Sequence, residues 1–154
     1  MTDTTLKARL QNDLHDAMRA RDKVRSGTLR MVLTSITNAE VAGDEARELS
    51  DDEVLKVVAK EAKKRKEASA AYRDASRPEL ADTEDAELVV LEGYLPAQLG
   101  DDELRAIVER AVASTGATGM PQMGQVMKAA QVEVAGRADG GRVAAVVRQV
   151  LAAR

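Results

Sequence analysis

The sequence contains no cysteine, phenylalanine or tryptophan, and its only aromatic residues are two tyrosines among 154 positions. The absence of cysteine excludes disulfide bonds, thiolate metal sites, iron–sulfur clusters and cysteine nucleophiles. Hydrophobic residues make up 44% of the chain, which is enough for a core, but that core must consist of Leu, Val, Ile, Ala and Met. The near absence of aromatic rings also argues against nucleic-acid binding by base stacking.

Long apolar segments are missing as well. No run approaches the roughly 18 residues of a membrane span, and the polar N-terminus lacks the apolar core of a signal peptide. We therefore expect a cytoplasmic protein with no membrane partner.

Motifs for cofactors, metals and catalysis are also absent. The chain has no phosphate-cradling glycine loop, dinucleotide fingerprint or zinc-ligand spacing, so we expect no cofactor and no metal site. The single histidine, His15, lies opposite the stripe of Leu6, Leu10 and Leu14 on a helical wheel and should face solvent. An enzyme in its own right would need a catalytic set that we do not find, so we predict no catalytic residues.

Helical periodicity runs through almost the whole chain, and no stretch alternates like a half-buried strand. A first apolar stripe ends at Met18, and a second follows. Ser50 and Glu53 have the spacing of a capping box before a long third helix, and Pro78 suits the first position of a fourth. Three shorter helices follow, whose apolar faces should pack against each other. Their apolar sets are Leu104, Ile107, Val108, Ala111 and Val112; Met123, Val126, Met127, Ala130 and Val134; and Val143, Val146, Val147, Val150 and Leu151.

The segment YLPAQL at residues 94–99 marks a boundary between two groups of helices. Proline cannot continue a helix and restricts the residue before it, so one helix must end before this segment and another begin after it. We therefore predict an all-α fold with a four-helix domain at residues 1–93 and a small three-helix bundle at residues 94–154. Within the bundle, Gly136 and Asp139 are expected to end one helix and to cap the next.

Several motifs together carry a family resemblance. MPQMGQVM at residues 120–127 is followed by GRADG at residues 136–140 and by the helical run 143–151, while KKRKE at residues 63–67 and the segment 72–80 lie upstream. With these motifs the chain resembles the stand-alone GatB/YqeY-type proteins over essentially its whole length. Its C-terminal part resembles the tail domain of the B subunit of the glutamine-dependent aspartyl/glutamyl-tRNA amidotransferase.

The resemblance implies a tRNA-associated helical module that acts alone or beside amidotransferase-type protein partners. That amidotransferase is a carbon–nitrogen ligase with glutamine as amido donor. The resemblance also implies that the amidase chemistry belongs to another subunit and that the kinase-like subdomain is missing here. An alternative of a different class is a protein-interaction adaptor without RNA binding. Met120, Met123 and Met127 could line an adaptable apolar surface for such a partner, although their spacing equally fits a core stripe.

Charge is distributed unevenly along a chain whose net charge is −3. Residues 55–77 carry eight Lys and Arg against three acids, residues 78–109 carry one against ten, and residues 121–154 carry five against two. Most charged helix faces are simply solvated, but Lys and Arg contacts to phosphates would provide a salt-sensitive affinity for RNA. The predicted RNA-binding residues are Arg137, Arg142, Lys128 and Arg148 in the C-terminal part, and Lys63, Lys64, Lys66 and Arg73 in the third helix.

Another set of charges lies on apolar helix faces. On a wheel of about 100° per residue, Glu61 and Arg65 fall within the apolar stripe of the third helix. Glu84 and Glu87 fall in the same way within that of the fourth. Because such charges are costly unless paired, we predict a structural ion network in which Arg65 contacts a carboxylate across a partly buried helix interface. The alternative, a carboxylate pair in acid–base catalysis, lacks the activator or metal cluster that would complete it.

Overall fold

A computed structural model of the chain describes residues 4–154, and every regular element in that range is helical. This confirms the predicted all-α fold class. No helix in the described range combines the length and the apolar character needed to cross a bilayer. The described residues form a 3₁₀ turn at Met120–Gln122 and seven α-helices: α1 (Leu6–Arg19), α2 (Lys23–Glu40), α3 (Asp51–Asp74), α4 (Pro78–Glu92), α5 (Asp101–Thr115), α6 (Met123–Val134) and α7 (Gly140–Ala152).

The chain divides into two compact units, the first ending at Leu95 and the second spanning Pro96–Arg154. Helices α1 to α4 lie in the first unit and α5 to α7 in the second. The grouping into a four-helix domain at residues 1–93 and a three-helix bundle at residues 94–154 stays a prediction.

Helix ends follow signals in the sequence. Ser50 Oγ accepts a hydrogen bond from the Glu53 N–H, and Glu53 Oε1 accepts one from the Ser50 N–H, each at 3.2 Å, which is the predicted capping box of α3. Pro78 is the first residue of α4, where its missing N–H would have no helical partner anyway. Gly136 takes a left-handed conformation just after α6 with φ of 77°, and the Asp139 side chain caps α7. These predicted roles are confirmed.

Each unit encloses its own aliphatic core. The apolar faces of α5, α6 and α7 pack against each other as predicted, with Met123 and Met127 partly buried at the edge. Met18, predicted on the apolar stripe of α1, is instead 48% exposed, because it lies at the edge of the stripe, about 100° around the helix from the buried Ala17. The fully buried side chains of the first core include Leu10, Leu29, Val32, Ile36, Val54, Val58 and Leu91.

Candidate functional site

The most deeply buried charges form an ion network between α3 and α4. The Arg65 side chain is only 5% exposed and donates from Nη1 to Glu61 Oε2 at 2.5 Å and from Nε to Glu87 Oε2 at 3.2 Å. Glu61 lies one turn earlier on α3, whereas Glu87 lies on α4. Glu84, the other predicted partner on α4, is half-buried and has no ion pair among the described residues. Arg65 therefore contacts carboxylates on both helices.

The Glu61 carboxylate accepts more than the bond from Arg65. Its Oε1 accepts hydrogen bonds from Ser35 Oγ at 3.1 Å and from Lys64 Nζ at 3.3 Å. Burial alone would raise the pKa of Glu61, but the hydrogen bonds from Arg65, Lys64 and Ser35 outweigh that effect and hold the pKa below its usual value. A general acid or base at neutral pH needs a raised carboxyl pKa. This geometry favours the structural network over acid–base chemistry.

Arg73, a predicted RNA-binding residue, also lies between acids. Its Nη2 donates to Asp85 Oδ2 at 2.6 Å and to Asp82 Oδ1 at 3.1 Å, so it connects the end of α3 to α4. Ser69 Oγ donates to the second oxygen of Asp85 at 2.6 Å. The hydrogen bond from Ser69 and then that from Arg73 lower the pKa of Asp85. An RNA phosphate would have to compete with two carboxylates for this guanidinium.

Arg137 and Arg142 both donate hydrogen bonds within the second unit. Arg137 donates from Nε to the Val134 carbonyl at 3.0 Å and from Nη2 to the Glu133 carbonyl at 2.8 Å, which satisfies acceptors at the end of α6. Arg142 donates from Nη1 to the Leu99 carbonyl at 2.7 Å and from Nη2 to Asp101 at 2.6 Å. The predicted RNA-binding pair thus holds the turn after α6 and the segment before α5.

The remaining predicted RNA-binding cations are exposed. They are Lys63, Lys64 and Lys66 on α3, Lys128 on α6 and Arg148 on α7.

Lys56 and Lys60 extend the exposed cations of α3, and sequence reasoning missed both. With Lys63 they follow i, i+4, i+7 spacing and fall within about 60° on the helical wheel, opposite the buried Val58 and Arg65. We call Lys56, Lys60 and Lys63 the α3 cationic face. Their regular spacing was the signal in the sequence that could have identified it.

Tyr94, the first residue of the YLPAQL segment, is 7% exposed and belongs to the first core. Its hydroxyl donates to Asp13 Oδ2 on α1 and accepts from Arg25 Nη2 on α2 at 3.3 Å. The Arg9 guanidinium lies 4.8 Å from the ring centroid, a cation–π contact. Burial and then the bond to Asp13 raise the pKa of Tyr94 to about 12. The phenol therefore stays protonated at neutral pH and anchors the end of the first unit to its first two helices.

A cleft of about 360 Å³ lies where α1 ends and α2 begins. Arg21 in this turn has a φ of 57°, in the left-handed region that a non-glycine residue adopts at a cost. Sequence reasoning missed this cleft, although the run RDK at residues 21–23 between two helices was visible. The residues that line it are Met18, Arg21, Asp22, Lys23, Ser26 and Arg30.

None of the sites described above, within residues 4–154, contains a set of metal ligands or a histidine that could act as a base. His15 is exposed, as predicted. Among residues 4–154 no group of three or more His, Asp or Glu side chains is arranged to hold a metal ion.

Comparison with known proteins covers nearly the whole chain. A family model described as "Yqey-like protein" matches residues 7–151. The "Altered inheritance of mitochondria protein 41, mitochondrial" of Pyrenophora tritici-repentis is 30% identical over 151 residues, which is 95% of this chain and 81% of that protein.

Two shorter matches involve other fungi. An uncharacterised protein of Schizosaccharomyces pombe is 35% identical over 92 residues, 59% of this chain and 72% of that protein. The Kluyveromyces lactis protein, also named "Altered inheritance of mitochondria protein 41, mitochondrial", is 34% identical over 90 residues, 58% of this chain and 48% of its own length. Since these names place two of the similar proteins in mitochondria, the predicted cytoplasmic location is not confirmed.

Proposed function

Because this chain belongs to the YqeY-like protein family, we propose that it is a tRNA-associated helical module that contacts RNA through exposed cations and has no catalytic centre of its own. The module acts alone or beside amidotransferase-type protein partners, in keeping with the resemblance of its C-terminal part to the amidotransferase tail domain.

The α3 cationic face is the observation that carries this proposal. It spans about 10 Å of helix from Lys56 to Lys63, since an α-helix rises about 1.5 Å per residue. Lys64 and Lys66 lie on either side of it and are also exposed. The opposite side of α3 is packed in the first core. The cations therefore lie on a helix that is held by core packing, and such a row suits a phosphate backbone that is recognised by shape and charge rather than by base.

In the second unit the proposal relies on Lys128 and Arg148 rather than on Arg137 and Arg142. The first pair is exposed, whereas the second already donates to backbone carbonyls and to a carboxylate. An arginine that caps a helix keeps some free N–H groups. Its replacement, however, would damage the fold together with any RNA contact, so it cannot serve as a clean probe.

The test is a filter-binding titration of the full chain with unfractionated tRNA at about 50 mM and about 200 mM salt. We expect the double variant Lys56→Glu/Lys60→Glu to bind more weakly than wild type at both salt concentrations. Each lost phosphate contact should reduce the magnitude of the slope of log K against log salt by roughly 0.7 to 0.9.

The matched control is Arg19→Glu/Arg105→Glu, which changes net charge by the same amount. Arg19 and Arg105 are exposed, and each pairs with an acid on its own helix. Equal losses in the two double variants would indicate diffuse electrostatics and contradict a defined RNA face. Thermal unfolding of both variants by circular dichroism checks that neither result is a folding defect.

The adaptor alternative has less support from the methionines that suggested it. Met123 and Met127 pack against the second core, which leaves Met120, 45% exposed, as the accessible member of the set. If wild-type protein binds no tRNA at low salt, the adaptor becomes the better proposal, and a pull-down with the intact chain would then be the next experiment.

A further inference from the structure

We infer that the cleft between α1 and α2 binds a dianionic phosphate group, either inorganic phosphate or the phosphate of a small monoester. The site is separate from the α3 cationic face and does not depend on the proposed RNA contact. Three features of the cleft support it.

The first feature is a set of cations without acidic partners. Arg21, Lys23 and Arg30 line the cleft, and none of them forms an ion pair with a carboxylate among residues 4–154. Their paired neighbours make the contrast clear, since Arg19 contacts Asp16 at 3.1 Å and Arg25 contacts Asp13 at 3.7 Å. A protein of net negative charge thus leaves three cations around one concave surface without acids to neutralise them.

The second feature is the start of α2, an 18-residue helix. Asp22 caps it by accepting a hydrogen bond from the Arg25 N–H at 3.1 Å. The N–H groups of Lys23 and Val24 have no acceptor in the described part of the chain. Free N–H groups and the positive end of the helix dipole favour an anion at this position.

The third feature is Ser26, whose side chain also lines the cleft. Ser26 is 7% exposed, and its hydroxyl has no hydrogen bond among the described residues. Every fully buried side-chain oxygen and nitrogen in the described range does have a partner. Because the Ser26 hydroxyl has no partner, it is not one of these fully buried atoms, and its oxygen is accessible from the cleft. A nearly buried hydroxyl without a partner is a donor held ready for a ligand oxygen.

The backbone at Arg21 explains why this cation lies at the cleft. Arg21 follows the end of α1 with φ of 57°, and the N–H groups of Arg21 and Asp22 donate to the Met18 and Ala17 carbonyls at 3.1 and 2.9 Å. Ser76 takes the same conformation after α3, so this is an ordinary helix-ending turn. From that turn the Arg21 side chain lines the cleft.

Charge and geometry together select the class of ligand. Lys23, Ser26 and Arg30 share one face of α2 through their i, i+3, i+7 spacing. Three cations against the one carboxylate of Asp22 leave a net charge of +2 on the lining. A phosphate monoester carries about −1.5 to −2 at neutral pH, whereas a phosphodiester or a carboxylate carries −1. The cleft therefore suits a terminal or free phosphate better than an internal RNA phosphate.

The test uses the full chain and three probes: inorganic phosphate, ribose 5-phosphate and dimethyl phosphate. Isothermal titration gives the affinities, and backbone amide NMR shifts of Lys23, Val24 and Ser26 show where the probe binds. We expect both dianionic probes to shift these amides and the singly charged dimethyl phosphate to bind at least about tenfold more weakly. Tighter binding of ribose 5-phosphate than of inorganic phosphate assigns the site to a small monoester, and equal binding assigns it to free phosphate.

Arg21→Gly is the decisive variant, because it removes a cation and relieves the backbone strain at once. The loss of a charged hydrogen bond should weaken phosphate binding about tenfold or more, while the thermal midpoint should not fall. Ser26→Ala should also weaken binding. The control is Arg19→Gln, an exposed neighbour that does not line the cleft and should bind phosphate as wild type does.

Several outcomes would overturn the inference. One is that neither dianionic probe binds more tightly than about 10 mM. Another is that Arg19→Gln loses as much affinity as Arg21→Gly, or that dimethyl phosphate binds equally well. A third is that intact tRNA shifts the cleft amides while neither monoester does, which would assign the cleft to RNA. Phosphate binding that is unchanged in Lys56→Glu/Lys60→Glu would show that the cleft works independently of the proposed RNA face.

Discussion

The Tyr94 hydroxyl donates a hydrogen bond to the Asp13 carboxylate, 81 positions earlier in the chain. The same oxygen accepts from Arg25 on α2, so one side chain just after α4 connects to the first two helices of its unit. The two hydrogen bonds therefore hold Tyr94 against α1 and α2 of its own unit.

Replacement of Tyr94 by Phe should lower the free energy of unfolding by about 1 to 3 kcal/mol, because Asp13 loses a donor and Arg25 an acceptor in a partly buried place. Urea unfolding followed by far-ultraviolet circular dichroism measures this.

The Tyr94→Phe variant should also lose the part of the wild-type free energy of unfolding that depends on alkaline pH. The pKa of Tyr94 is raised to about 12 in the folded chain, against about 10 for an unfolded tyrosine. The resulting stabilisation is complete below pH 10 and disappears as pH rises through 12. Identical alkaline profiles of wild type and Tyr94→Phe would show that this bond contributes nothing.

Arg65→Met should lower the free energy of unfolding by about 3 to 5 kcal/mol, because it leaves the buried Glu61 carboxylate without its main partner. Lys66→Met, the same change at the exposed neighbour, should stay within about 0.5 kcal/mol of wild type. Adding Glu61→Gln to Arg65→Met should recover part of the loss, since the uncompensated charge is then gone. If the double variant is no more stable than the single one, the loss comes from packing rather than from the ion network.

Protonation of Glu53 at acid pH should lower the free energy of unfolding. The hydrogen bond from Arg47, followed by that from the Ser50 N–H, lowers the pKa of Glu53 to about 2. The stabilisation is therefore present above the unfolded pKa of about 4.3 and is lost as pH falls towards 2. Glu53→Gln keeps an acceptor for the capping box but has no charge to protonate, so its thermal midpoint should fall less over this range than that of wild type. Glu103→Gln, a change at an exposed acid in the first turn of α5, serves as the control for the loss of one negative charge near a helix start.

We further propose that the second unit is a separate domain. A fragment of residues 96–154 should then be helical and unfold cooperatively, because its three apolar faces cover one another. Arg142→Gln removes the hydrogen bonds to Leu99 and Asp101. It should therefore lower the midpoint temperature of the fragment's thermal unfolding, followed by circular dichroism. A fragment that remains unfolded would show that residues 1–95 are needed for its stability.

Local patterns in the sequence predicted the helices and several of their ends. The capping box of Ser50 and Glu53 and the proline at the start of α4 depend on residues only a few positions apart, and so does the apolar periodicity. The helical wheel also placed Arg65 on a buried face. It could not choose between Glu84 and Glu87, because residues three positions apart on α4 share that face. Packing against α3 decides in favour of Glu87.

Contacts between distant residues could not be predicted in this way. No local pattern links Tyr94 to Asp13, and the concave shape of the cleft arises only when α1 meets α2. Arg137 illustrates a different limit. A cation beside a helix end can bind a phosphate or the terminal carbonyls of the helix, and the sequence looks the same in both cases. The contacts with Glu133 and Val134 show that the carbonyls are its partners within the folded chain.

The aliphatic character of the cores has a spectroscopic consequence. Both tyrosines, Tyr72 and Tyr94, lie in the first unit, and the chain has no tryptophan. Intrinsic ultraviolet fluorescence therefore reports on the first unit alone, while the second emits no signal of its own. Circular dichroism detects the helices of both. Followed side by side during one denaturation, the two signals would separate the melting of one unit from that of the other without any label.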